Sequence, residues 1–132
     1  MLPALVPELS VSDLGRSLAF YCEIVGFSRL YGRPDEGFAC IALGNAVLML
    51  DQVGLGRDWV TGALEQPFGR GINLQIEMDS LTPLLDRLAD NAAPLFQLPE
   101  IKSYQAGDQS ITQRQFCVQD PDGYLLRFCQ RV

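Results

Sequence analysis

The chain contains no histidine. That excludes every Ser–His–Asp arrangement and removes the commonest protein ligand for a transition metal. The four cysteines, Cys22, Cys40, Cys117 and Cys129, form no CxxC pair. The paired thiolates of a structural zinc site are therefore missing. A cysteine nucleophile would also lack an evident base. Gly54, Gly56 and Gly62 do not open a helix after a strand, so no phosphate-binding loop is present. Apolar runs stay well short of the roughly 18 residues of a membrane helix. The opening MLPALVPELS has no basic n-region, so no signal peptide is expected there. Basic charge is scarce: ten Lys and Arg stand against sixteen Asp and Glu, a net charge of −6. Such a surface repels phosphate backbones, and neither nucleic acid nor a membrane is an expected partner. Unpaired cysteines inside apolar segments fit a reducing compartment, so the expected location is cytoplasmic.

What is there suits one folded domain. The 132 residues are 48% apolar and 20% charged, an ordinary globular balance with enough apolar side chains for a core. Leu5, Leu9 and Val11 alternate with Val6, Glu8 and Ser10, the period of a strand. A helix follows, capped by Ser12 or Asp13, with Leu14, Leu18, Tyr21 and Val25 at helical spacing and Gly26 as its stop. Three strands come next: 28–32, 38–43 and 46–50, the last two joined by Gly44-Asn45. Residues 53–71 have no period and contain Trp59 and Phe68; they read as a linker and surface loop.

The order then repeats. Ile72, Leu74, Ile76 and Met78 alternate with Asn73, Gln75 and Glu77. Asp79 or Ser80 caps a second helix bearing Leu81, Leu84, Leu85 and Leu88, with Pro83 in its first turn. Strands are expected at 95–98, 113–119 and 124–130, with Asp122-Gly123 in the last hairpin. Residues 99–112 carry no period and read as a loop. A shift of 67 residues lays Val11 on Met78, Leu14 on Leu81 and Leu18 on Leu85. The expected fold is α+β: two βαβββ modules, about 1–52 and 71–132, joined by a linker at 53–70. Each has a curved mixed sheet with a helix on its outer face.

Parity assigns the faces. Ile72, Leu74, Ile76, Met78, Leu126 and Phe128 should face the second helix. Asn73, Gln75, Glu77, Leu125, Arg127 and Cys129 should face an open groove. Val6, Glu8 and Ser10 are the groove positions of the first module.

Two motifs then carry a family resemblance. Val11-Ser12-Asp13-Leu14, Ser17 to Tyr21 and Val25-Gly26-Phe27 resemble the opening signature of the vicinal oxygen chelate superfamily. Phe116 to Phe128, centred on Asp120-Pro121-Asp122-Gly123, resembles its closing signature. The superfamily includes glyoxalase I, extradiol dioxygenases, fosfomycin thiol transferases and bleomycin-binding proteins. The resemblance implies that its enzymes' metal ligands would fall on Val6, Met49, Asn73 and Arg127. None is a usual ligand, and a guanidinium beside a divalent cation is repulsive. Neither a metal, nor another cofactor, nor a catalytic residue is therefore expected.

The resemblance narrows to the metal-free bleomycin-resistance type, which implies a homodimer holding a small molecule in its groove. An acidic pair followed by an aromatic, Asp35-Glu36 and Phe38, matches that branch; the tryptophan expected before Phe116 is missing. The expected ligand-binding residues are Phe38, Met49, Trp59, Asn73, Gln75, Tyr104 and Arg127, with Trp59 and Tyr104 in loops. The ligand implied is a cationic antibiotic or metabolite. The alternative is a lyase or dioxygenase of the same superfamily with an atypical metal site.

Overall fold

Gly44 and Asn45 turn the chain back on itself, with Gly44 at φ +60°, a conformation that costs glycine little. The turn joins β3 (Phe38–Leu43) to β4 (Ala46–Gln52) in antiparallel register, Leu43 against Ala46 and Phe38 against Asp51. β1 (Glu8–Val11) runs parallel to β4, and β2 (Ser28–Arg33) closes the far edge against β3. The sheet order is β1-β4-β3-β2.

The computed structural model describes residues 2–132. They fall into two units, one ending at Phe68 and the other starting at Gly69.

In the first unit, Asp13 begins helix α1 (Leu14–Leu18) by accepting the backbone N–H of Arg16 at 2.9 Å. The helix then widens into a π-type stretch, Ala19–Val25, ended by Gly26 at φ 106°. Helical spacing alone predicts one uniform α-helix. The wider turn rotates less per residue and brings the adjacent Phe20 and Tyr21 into the core together. Tyr21 meets Phe20 and Phe27 edge-on, with ring centroids 5.3 and 5.6 Å away, a favourable quadrupole geometry. Leu9, Val11, Ile41, Leu48 and Leu50 are buried and share the opposite parity to Glu8, Cys40 and Met49.

The second unit repeats the plan. β5 (Asn73–Glu77) runs parallel to β8 (Leu125–Arg131), and the order is β5-β8-β7-β6. Helix α2 spans Thr82–Asp90. Its Leu84 and Leu88, with Leu81, Phe116, Leu126 and Phe128, are almost wholly buried. Each sheet mixes parallel and antiparallel pairs, so the expected α+β architecture of two βαβββ modules is what the chain forms.

Four expectations need correction. Residues 99–112 are not a loop: β6 (Leu95–Ala106) and β7 (Gln109–Gln119) form a long antiparallel hairpin through Gly107. Most of its outer half is exposed, so burial imposes no alternation to read. Asp79 and Ser80 do not cap α2; Leu81 takes that position without a side-chain cap bond. Ile72 lies before β5 and is 56% exposed, off the helix-facing row. β1 starts at Glu8 rather than Leu5. Residues 53–72 contain no helix or strand, and no helix among the described residues is long and apolar enough to cross a membrane.

Candidate functional site

In the first unit, the sheet face away from α1 is divided by chemistry. One part is apolar: Phe38, Cys40 and Val47 are buried, with Leu2, Val6, Ala42 and Met49 packed on them. Phe38 is only 3% exposed. The Tyr31 ring lies 5.7 Å from it, and the Arg33 guanidinium carbon sits 3.9 Å from its ring centre. Arg33 also pairs with Glu36. Phe38 and Met49 thus belong to one cluster.

The other part is acidic. Glu8, Ser10, Asp51 and Trp59 line a hollow of about 280 Å³. Ser10 lies beside Asp51 in the parallel β1–β4 register, and Glu8 beside Met49. Trp59 is 70% exposed, with the Arg57 guanidinium carbon 5.0 Å from its ring centre. Two carboxylates and an indole suit a positively charged group with a planar portion. The hollow is near the lower limit for a ligand pocket, roughly 300 Å³, with room for a small charged group.

In the second unit, the face away from α2 carries amides and a cation. Gln75 and Arg127 are direct neighbours across the parallel β5–β8 pair, and Asn73 lies beside Leu125. Across β7, Arg127 is opposite Cys117. Tyr104 lies on β6 rather than in a loop, and its hydroxyl accepts from Gln115 Nε2 at 2.5 Å. Gln115 Nε2 also donates to Glu100 at 3.0 Å, and Gln115 Oε1 accepts from Gln113 Nε2 at 2.9 Å. This relay was not expected from the sequence, yet a signal existed. Gln113 and Gln115 have the opposite parity to the buried Phe116 and Val118, and that parity places both on the face away from α2.

The thiols on this face are kept neutral. Burial pushes the Cys117 thiol up, against the lowering effect of Arg127, and Glu100 adds a smaller upward push. Cys129 is raised by burial and by Glu77, while Arg127 and Arg131 pull it down.

No family model matches the chain. Proteins called bleomycin resistance protein, from Geobacillus stearothermophilus and Staphylococcus aureus, are 27% identical over 96% of this chain and 96% of their own. A glyoxalase/bleomycin resistance protein/dioxygenase from Alicyclobacillus acidocaldarius has the same fold, with a TM-score of 0.66 at 14% identity, covering 98% of this chain and 91% of its own. The likeness to bleomycin resistance proteins, together with the shared fold, supports the vicinal oxygen chelate superfamily for this chain. TioX from Micromonospora sp. ML1 shares its fold too, with a TM-score of 0.71 at 18% identity, over 98% of this chain and 99% of TioX.

The superfamily's divalent metal does not fit the residues here. Val6 and Met49 belong to the apolar cluster around Phe38. Asn73 offers only a weak amide oxygen, and Arg127 brings a permanent positive charge to the face. Among the described residues, no three His, Cys, Asp or Glu side chains converge as a metal site would require.

Proposed function

We propose that this protein is a small-molecule binding protein of the bleomycin-resistance type, holding a cationic antibiotic or metabolite without changing it. The observation that carries this reading is the acidic hollow of Glu8, Ser10 and Asp51 beside the exposed ring of Trp59. A net charge of −6 would draw a cationic ligand towards the protein. The full-length likeness to proteins called bleomycin resistance protein supports the same reading.

In this proposal both units act as one glyoxalase/bleomycin-resistance-type domain, with residues 53–70 as the connection. Trp59, Asn73, Gln75, Tyr104 and Arg127 contact the ligand, and Phe38 and Met49 wall the groove. The working form is a homodimer, with the segment around Pro3 and Pro7 as a stiffened arm lying on the partner.

Titration calorimetry with bleomycin, both metal-free and copper-loaded, tests the function. Saturable heat, a raised melting temperature and recovery of unaltered ligand are expected. No heat and no thermal shift overturn the reading. Light scattering tests the pairing: twice the chain mass of 14.6 kDa is expected, and a monomer at micromolar concentration refutes it.

A further inference from the structure

Arg127 is the residue whose chemistry is least accounted for by its surroundings. Its Nε is buried and has no hydrogen-bond partner. A buried donor without an acceptor is costly, more so when it carries charge. Its lateral neighbours on the sheet are Gln75 and Cys117, neither of which is an anion at neutral pH. The two carboxylates nearest in register bond elsewhere. Glu77 Oε1 lies 3.3 Å from Arg131 Nε, and Glu100 accepts from Gln115 at 3.0 Å. The guanidinium is thus held on the groove face with no protein counter-ion hydrogen-bonded to it.

A guanidinium in that setting has one fitting complement. Its Nε–H and the neighbouring Nη–H lie parallel and in one plane, a fork that matches two oxygens of a carboxylate or phosphate. The Gln75 carboxamide, directly across the β5–β8 pair, supplies a further N–H donor. Strand positions fix both side chains more rigidly than a loop would.

We infer that Arg127, with Gln75 beside it, is an oxyanion subsite that binds the carboxylate or phosphate group of a small ligand. A ligand using it carries a negatively charged oxygen group. The inference does not require bleomycin to be that ligand.

The arginine Nε–Hε region of a ¹⁵N spectrum provides the test. The peak lost in Arg127→Lys, which keeps the charge but changes the fork, assigns Arg127. Sodium acetate and inorganic phosphate are titrated in separate samples, with sodium chloride at matched ionic strength as control. The Arg127 peak should move along a saturating curve with acetate or phosphate, and the tighter of the two identifies the ligand group. Arg127→Met, which has no such peak and is followed instead through the backbone amide shifts of the neighbouring Gln75 and Cys117, should weaken that binding at least tenfold. If this variant fails to fold, Arg127→Lys replaces it, followed in the same way, with a loss of at least threefold expected. Arginine peaks that move together in proportion to ionic strength, or an Arg127 peak that tracks chloride, overturn the inference. Since no antibiotic enters the test, its failure is separate from failure to bind bleomycin.

Discussion

Gln130 closes the start of the second helix from across the sheet: its Oε1 accepts the backbone N–H of Leu81 at 3.0 Å. Gln52 does the same for Leu14 at 2.9 Å in the first unit. Both glutamines lie at or near the end of the strand that finishes their sheet. The duplicated module thus includes a duplicated cap. Replacing Gln130 by Ala should cost about 1 kcal/mol, as loss of a helix cap usually does. Gln52→Ala should cost a similar amount. Urea unfolding measures both, and an unchanged midpoint for either would show that the bond contributes nothing.

Asp120 organises the last turn. Its Oδ1 accepts from the backbone N–H groups of Asp122 and Tyr124, each at 2.9 Å, and the residue is buried. Asp120→Ala strips an acceptor from two donors and should destabilise by about 3 kcal/mol. Asp120→Asn keeps an acceptor oxygen there and should lose clearly less. Equal losses for the two variants would refute this account of the turn.

The sequence shows this turn clearly because Asp120-Pro121-Asp122-Gly123 combines the side chains and backbone freedom that turns demand. The helix–sheet parity is equally clear: Leu74, Ile76, Leu126 and Phe128 follow from alternation against polar neighbours. The long hairpin is not. Lys102, Ser103, Gln105, Gln109 and Ser110 are exposed whichever way they point, so no period marks the strands. The Gln130–Leu81 cap was also hidden, because its partners are 49 residues apart and local spacing favoured Asp79 or Ser80. For the candidate site, parity placed Gln75 and Arg127 on one face. It gave no sign that Gln113 and Gln115 would be buried in a relay there.

Thiol burial predicts an alkaline limit to stability. Cys22, Cys117 and Cys129 are each raised from the ordinary 9.0, with burial as the largest cause. As pH rises, the unfolded chain therefore loses its thiol protons before the folded one. Their contribution is complete below the ordinary thiol value and is lost as pH climbs through the raised values. The urea midpoint should hold from about pH 7 to about pH 8.5 and fall above it. Replacing these three cysteines by Ala should flatten that decline, and an undiminished slope would exclude the thiols as its source.

Trp59 separates binding from stability. At 70% exposure it contributes little to the core, so Trp59→Ala should shift unfolding by no more than about 0.5 kcal/mol. Loss of one stacking ring should weaken bleomycin binding about three- to tenfold. Calorimetry on the variant measures this, and unchanged affinity would remove Trp59 from the site.

The pairing of β1 with β4 and of β5 with β8 sets an order of assembly during synthesis. In each unit the first strand runs parallel to the last, so it has no edge to join until that last strand has left the ribosome. The first unit can complete its sheet once Gln52 is clear of the exit tunnel, while the second is still being translated. The second must wait for Arg131, and until then the nascent chain exposes β5 and an uncapped α2.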